Sequence, residues 1–130
     1  MSTPENTFIR SVHAKLPSHI HREKQHNAYR GGTPDVFYEH VRMLWVEYKF
    51  VVLPKRDHTV IVPGLSALQI DWLGRNHSNG HRPLVIVGSK AGGVIFDTPK
   101  TWVNGISCAQ FKAALKSRQE LAEFISRTIS

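Results

Sequence analysis

Cysteine is almost absent from this chain, which excludes two kinds of stabilising site. Cys108 is the only cysteine among 130 residues, so neither an internal disulfide nor a zinc site built on cysteine thiolates is available. Cys108 lies among Ile106, Ala109 and Phe111, a setting typical of a small core residue. This cysteine usage favours a reducing compartment, so we expect a cytoplasmic protein (in the host cytoplasm if the source is a virus).

Long apolar runs and nucleotide-binding loops are lacking too. No segment approaches the roughly 20 apolar residues of a membrane-spanning helix, and the polar residues 1–6 lack the apolar region of a signal peptide. The glycine-rich stretch 88–93 does not have the Gly-Lys-Ser/Thr order of a P-loop. We therefore predict no signal peptide, no membrane partner and no nucleotide cofactor. Without repeats or low-complexity tracts, residues 1–130 are predicted to form a single domain.

Acidic residues are scarce relative to basic ones. Ten Asp and Glu residues face 17 Lys and Arg residues, which gives a formal charge of +7 and a pI near 9.9, with eight histidines in addition. Such a balance favours polyanion binding and carries no information on fold. The charge therefore predicts a polyanionic partner such as a nucleic acid, and nothing in the sequence excludes RNA.

Three basic stretches are the predicted contacts to DNA phosphates. They comprise His19, His21, Arg22, Lys24 and Arg30, then Lys55 and Arg56, and finally Lys90. A solvated surface strand or an ordinary hairpin tip explains the first two stretches equally well. The histidines lack the cysteine or i+4 histidine partners of usual zinc sites.

Residues 31–50 carry the most informative pattern. A Gly-Gly turn precedes two apolar segments that predict a β-hairpin with its turn centred on Val41. In that register Asp35 lies directly opposite Glu47, and directly opposed residues have Cβ atoms about 4.5–5.5 Å apart. Because side chains alternate along a strand, Lys49 shares the face of Glu47.

Two carboxylates so close together repel, and one binds a proton unless a cation holds both. A hard divalent cation such as Mg²⁺ suits oxygen ligands of this kind. Lys49 would then lie within reach of an attacking water or a scissile phosphate. The alternative is a buried ion pair of Glu47 with Lys49 or a nearby arginine in an ordinary α/β core.

Pro34-Asp35 followed by Glu47-Tyr48-Lys49 resembles the signature of the PD-(D/E)XK nuclease superfamily. The resemblance implies that Asp35, Glu47 and Lys49 are catalytic and that Mg²⁺, with Mn²⁺ as a substitute, is the cofactor. It also implies that Glu5, on the first helix, completes the metal site. A main-chain carbonyl of Tyr48 or Phe50 is a further implied ligand, and period two favours Tyr48 because its side chain points away.

The segment from Leu65 to Leu73 adds a second motif. Ser66 and Gln69 form a capping box, which explains Gln69 as a structural residue. The same LSxxQ order after the ExK strand resembles the virus-type replication-repair nuclease (VRR-NUC) branch, in which this glutamine is an active-site residue. A longer strand and a basic hairpin before this helix depart from the usual spacing of that branch.

The residue pattern also predicts the main helices and strands. A first helix starts near Thr3 and ends at Pro17, and a short strand includes His19 and His21. A further strand is predicted at 59–62. Ser107 and Gln110 form a second capping box, which starts a helical region over about 108–128 with a break near Ser117.

The predicted fold is an α/β domain with a central mixed β-sheet flanked by helices, and the resemblance implies a restriction-endonuclease-like core. The predicted function is a Mg²⁺-dependent endonuclease that hydrolyses DNA phosphodiester bonds. We expect selectivity for Holliday junctions or other branched DNA, with a homodimer supplying two active sites. The alternatives are a restriction or homing enzyme, and a non-catalytic DNA-binding module that kept the fold.

Overall fold

A five-stranded mixed sheet forms the centre of the molecule, as seen in a computed structural model that describes residues 3–25 and 31–130. In spatial order its strands are β1 (His21–Lys24), β2 (Val36–Glu39), β3 (Met43–Phe50), β5 (Leu84–Ser89) and β6 (Gly92–Phe96). β3 and β5 run parallel, and the other neighbouring pairs are antiparallel. Two further short strands, β4 (Val60–Ile61) and β7 (Ile106–Ser107), form a separate antiparallel pair.

Helices cover both faces of the sheet. One face, called here the α1 face, packs against α1 (Pro4–His13) and α5 (Arg118–Thr128). The opposite α2 face packs against α2 (Ala67–Ser78), α3 (Pro99–Asn104) and α4 (Cys108–Ala113). The predicted α/β class, with a central mixed sheet flanked by helices, is confirmed. Over the described residues, no helix has the length and apolar character needed to cross a bilayer.

Strand β3 directs apolar side chains to one face of the sheet and charged side chains to the other. Leu44, Val46 and Tyr48 are buried in the cluster that α1 and α5 complete. Glu47 and Lys49 project to the α2 face, where Glu47 contacts α2. The alternation follows from the period of two in a β-strand. The residues with apolar functions and those with polar functions thus alternate along one central strand.

The register of the β2–β3 hairpin agrees with the sequence prediction. Val36 pairs with Val46, and Glu39 pairs with Met43. The centre of symmetry is therefore Val41, as predicted from the spacing of the two apolar segments. The turn is closed by a hydrogen bond of 3.0 Å from the His40 N–H to the Arg42 carbonyl.

Several predicted boundaries were wrong. α1 ends at His13 and does not continue to Pro17, and the first strand begins at His21, so His19 precedes it. The strand expected at 59–62 is shortened to β4 and lies outside the central sheet, because it pairs with β7. α3 was not predicted, although Thr98 caps it and Pro99 occupies its first turn, which are ordinary start signals for a helix.

Capping residues fix the starts of the later helices. The predicted capping boxes of Ser66 with Gln69 and of Ser107 with Gln110 are both present. The helical region expected over 108–128 breaks near Ser117, as predicted, because Ser117 caps α5. The α2 cap matters for function because it places Gln69 above the sheet.

Candidate active site

The carboxylates of Asp35 and Glu47 face each other across the hairpin. The pairing of Val36 with Val46 puts Asp35 opposite Glu47, one position beyond the end of β2. The charge of Asp35 acts on the Glu47 carboxyl and raises its pKa. Asp35 Oδ2 also accepts a hydrogen bond of 2.9 Å from the backbone N–H of Tyr48. The strand pairing therefore produces the predicted juxtaposition, and the Tyr48 N–H fixes one side of it.

Glu47 is the most deeply buried acid of this group, with only 2% of its surface exposed. Its Oε2 accepts a hydrogen bond of 3.1 Å from the Gln69 amide and lies 3.6 Å from the Lys49 Nζ. Its Oε1 is buried and receives no hydrogen bond from the part of the chain that the structure describes. An uncompensated buried carboxylate oxygen is costly unless a proton or a cation joins it.

The raised pKa values of Glu47 and Glu5 show that the acids of this site carry more negative charge than the neighbouring cations balance. The pKa of Glu47 is raised to about 9, first by burial and then by the charge of Asp35, while Lys49 opposes the shift. The pKa of Glu5 is raised to about 7, again first by burial and then by Asp35, with which it also shares a hydrogen bond. Glu5 and Glu47, both beside the charge of Asp35, therefore still hold protons near neutral pH.

The residues present fit a divalent cation. Among residues 3–25 and 31–130, no group of three or more His, Cys, Asp and Glu side chains has the arrangement of a complete metal site. Two carboxylates suffice for Mg²⁺, however, because this ion keeps several waters and takes further oxygens from substrate phosphate. The buried Oε1 of Glu47 and the raised pKa values are what a missing counter-ion would produce. Asp35 and Glu47 are the residues that would hold it, with Glu5 adjacent to Asp35.

Comparison with known proteins is informative at the level of structure. No protein-family model matches the chain, and no curated protein matches its sequence. Among solved structures, it is similar to Archaeoglobus fulgidus Hjc, a Holliday junction resolvase from an archaeal hyperthermophile. The fold is that of Hjc. The match has a TM-score of 0.58 and 14% identity, and it covers 95% of this chain and 96% of Hjc. Membership of the VRR-NUC branch stays a prediction.

A close approach of two backbone segments brings α2 into the site of this Hjc-like fold. Gly32 has a φ of +89°, and a Cβ there would lie 2.2 Å from the carbonyl oxygen of Leu68. Only glycine allows the segment before Asp35 to pass so near the first turn of α2. The same turn carries Gln69, whose side chain reaches both the Ser66 backbone N–H and Glu47. Gln69 therefore caps α2 and also donates a hydrogen bond to the buried Glu47.

This double role of Gln69 is testable against a matched glutamine. Gln110 occupies the same capping-box position of α4. We expect Gln110→Ala to lower the free energy of unfolding by about 1 kcal/mol, the usual value of a cap. Gln69→Ala should cost about 1–3 kcal/mol more, because the buried Glu47 also loses its amide donor. Urea unfolding at pH 7.5 measures both losses, and equal losses would contradict the contact with Glu47.

Behind the site, a chain of buried polar groups anchors β3 on the α1 face. The Tyr48 hydroxyl is 2.6 Å from the Tyr38 hydroxyl, which in turn is 2.7 Å from His13 Nε2. Burial, together with the positive charges of Arg22 and Lys24, lowers the pKa of His13 to about 4. A neutral His13 therefore completes a satisfied hydrogen-bond chain that holds the strand carrying Glu47.

Two of the predicted DNA-binding lysines lie near the acids. Lys24 donates a hydrogen bond to Asn6 on the first turn of α1, and its charge lowers the pKa of Glu5. Lys90, exposed in the β5–β6 turn, lines a cavity of about 480 Å³ that also includes Phe50. A second cavity, of about 450 Å³, includes Phe50, Glu5 and Asn6. Positive charge therefore lies on the side of the site where Glu5 opens to solvent.

The other predicted contacts are spread over the surface. The Arg22 guanidinium donates to the carbonyls of His13 and Pro17 at 2.9 and 3.0 Å, so it fastens the end of α1. His21 contacts Glu23 at 3.1 Å. The remaining residues are placed as follows: His19 has its ring 4.8 Å from that of His40, Lys55 and Arg56 are exposed before β4, and Arg30 lies outside the described residues.

Sequence reasoning missed two features of the site. The hydrogen bond from the Tyr48 N–H to Asp35 depends on the exact position of the segment before β2, and no residue pattern indicates it. Trp45 and Trp72 have ring centroids 5.6 Å apart beside Glu47 and Gln69. Trp45 shares the face of Glu47 by period two, and this spacing was the available signal.

Proposed function

We propose that this chain is a divalent-metal-dependent endonuclease that hydrolyses DNA phosphodiester bonds. The observation that carries the proposal is the pair of facing carboxylates, Asp35 and Glu47, with Lys49 beside them. The similarity in fold to a Holliday junction resolvase supports branched DNA as the substrate. Mg²⁺, or Mn²⁺ in its place, is the proposed cofactor, and a VRR-NUC-like branch is the proposed subfamily.

Each residue has a role in this proposal. The chemistry that a divalent cation would supply, if held here, is activation of a water near neutral pH and stabilisation of charge on the phosphate. Asp35 and Glu47 would hold it, with Glu5 and the Tyr48 carbonyl as further ligands. Lys49 orients the attacking water and stabilises the charge that develops on the phosphate. Gln69 donates a hydrogen bond to Oε2 of Glu47, so Oε1 would be available to hold the cation.

A homodimer is proposed because residues 3–25 and 31–130 of one chain contain one such carboxylate pair. Symmetric cutting of a four-way junction needs two active sites, and a two-fold dimer supplies them with a fixed spacing. The formal charge of +7 supports the binding of two DNA arms. Lys24 and Lys90, on the open side of the acids, are the proposed phosphate contacts nearest the cut.

Cleavage assays with Lys49→Ala test the proposal. Four-way junction, flap, nicked and linear duplex DNA are incubated with Mg²⁺, Mn²⁺ or EDTA. We expect symmetric cutting of the junction that EDTA abolishes and that Lys49→Ala reduces by at least about 100-fold. Lys100→Ala, which removes an exposed lysine on α3, serves as the control and should cut normally.

Other outcomes would favour the alternatives. Cutting of linear duplex alone would indicate a restriction or homing enzyme. Equal DNA binding with and without metal, together with no cutting of any substrate, would contradict the nuclease and leave a DNA-binding module. Preference for RNA versions of the same substrates would show that the 2′-hydroxyl is recognised.

A further inference from the structure

Three aromatic rings line the α2 face next to the acids. The ring of Phe37 lies 4.9 Å from that of Trp45, and Trp45 lies 5.6 Å from Trp72. All three residues are only half-buried. Within the described residues, Phe37 and Trp45 belong to neither hydrophobic core, and only Trp72 packs against one of them. We call these three residues the aromatic patch.

The aromatic patch is continuous with the carboxylate pair. Trp45 precedes Glu47 by two residues on the same face of β3, a separation of about 7 Å. Trp72 follows Gln69 by three residues on α2, so both lie on one side of the helix. Gln69 itself is bonded to Glu47. A strand of DNA advances about 3.4 Å per nucleotide, so the patch is one or two nucleotides from a phosphate at the acids.

The surroundings of the patch suit a base rather than a phosphate. Glu23, directly opposite Phe37 on β1, shares the face of Phe37, and so does Glu39, two residues further along β2. Both carboxylates are exposed, and Glu23 contacts His21. Negative charge there repels the DNA backbone, whereas half-exposed aromatic rings stack on nucleobases of any sequence.

We propose that the aromatic patch stacks an unpaired nucleobase of the DNA strand, one or two nucleotides from the scissile phosphate. This inference rests on the proposed function and specifies its substrate. A base inside a continuous duplex is covered on both sides by its neighbours, whereas a base at a branch point is free to stack on protein. The aromatic patch would thereby favour branched or single-stranded DNA over linear duplex.

A double-mutant cycle between protein and DNA tests the inference. The probe is a labelled splayed-arm duplex with single-stranded thymidine arms, bound in EDTA and followed by fluorescence anisotropy. We expect Trp45→Leu to weaken binding about tenfold. An abasic nucleotide is placed in turn at each of the first three positions beyond the branch. At one of these positions it should also weaken binding about tenfold. The two changes together should weaken binding no more than either alone, because they remove the same contact.

Two further variants separate stacking from folding. Trp45→Phe keeps an aromatic ring and should recover most of the affinity. Phe124→Leu removes a half-buried ring from α5, on the opposite face, and should leave the cycle unchanged. The inference is overturned if Trp45→Leu lowers the melting temperature but not the affinity, or if the protein and DNA changes add independently.

The cycle is also independent of the nuclease proposal. Non-additive effects on binding, without cleavage of any DNA, would support stacking on the aromatic patch and contradict the nuclease proposal. If the protein cleaves junctions but the effects in the cycle are additive, the nuclease proposal would be supported and the stacking role of the aromatic patch contradicted.

Discussion

Asp35→Asn is expected to abolish DNA cleavage while it raises the free energy of unfolding. The charge of Asp35 raises the pKa of both Glu47 and Glu5, so the native acids repel one another. An asparagine still accepts the hydrogen bond from the Tyr48 N–H, and its amide is able to donate to the buried Oε1 of Glu47. It cannot supply the second negative ligand that a divalent cation needs.

The expected magnitudes are large in both directions. Cleavage should fall by about 1,000-fold or more, the scale of losing a centre of electrostatic stabilisation. Stability at pH 8 should rise by about 1–2 kcal/mol, because one charge of a repelling group is gone. Junction cleavage and urea unfolding measure the two effects on the same protein.

A matched carboxylate provides the control. Asp97 is exposed at the end of β6, so Asp97→Asn removes the same charge from the chain without touching the site. We expect it to change neither quantity appreciably. If Asp35→Asn destabilised the protein instead, Asp35 would act through structure, and the metal role assigned to it would be contradicted.

The metal-free protein is expected to lose stability as the pH rises above 6.5. Glu47 has a folded pKa of about 9 against an ordinary pKa of 4.5, so the folded state binds a proton that the unfolded state has released. Its stabilising effect is complete below pH 4.5 and is lost progressively as the pH approaches 9. Glu5, with a pKa of about 7, acts in the same direction.

At acidic pH, the titration of His13 changes the free energy of unfolding. The pKa of His13 falls to about 4 in the fold, so the unfolded state binds the extra proton between pH 4 and 6.5. Proton binding to His13 in the unfolded state therefore lowers the free energy of unfolding as the pH falls, whereas the two glutamates have the opposite effect. Above pH 6.5 His13 is neutral in both states, and the glutamates alone set the slope.

Thermal unfolding at pH 6.5 and pH 9 in EDTA measures the effect. From Glu47 alone we expect a loss on the order of 3 kcal/mol, or a fall in melting temperature on the order of 10 °C. Added Mg²⁺ should stabilise the protein much more at pH 9 than at pH 6.5, because the cation replaces protons on the acids. A flat profile in EDTA would contradict the coupling of Glu47 to Asp35.

The carboxylate pair was predictable because the interactions that place it are local in sequence. The spacing of two apolar segments around Val41 is enough to set the hairpin register. The caps at Ser66, Ser107 and Ser117 are likewise encoded within four residues. Gln69 could be placed at the start of α2 from its capping box alone.

The parts that sequence reasoning missed depend on contacts between distant segments. β4 leaves the central sheet because Gly105 allows β7 to pass beside Ile61, where a Cβ would meet a carbonyl oxygen at 2.2 Å. The aromatic patch joins residues from two strands and one helix. Hydrophobic periodicity within one segment does not report which other segment packs against it.

The alternation along β3 has a consequence for how this protein can vary. The side chains of Leu44, Val46 and Tyr48 pack only in the interior, whereas those of Trp45, Glu47 and Lys49 lie on the face of the proposed chemistry. Under the proposed function, neighbouring residues of β3 would therefore meet separate requirements, one for folding and the next for catalysis. A single substitution at Glu47 or Lys49 would then remove cutting and leave the apolar core of the scaffold intact.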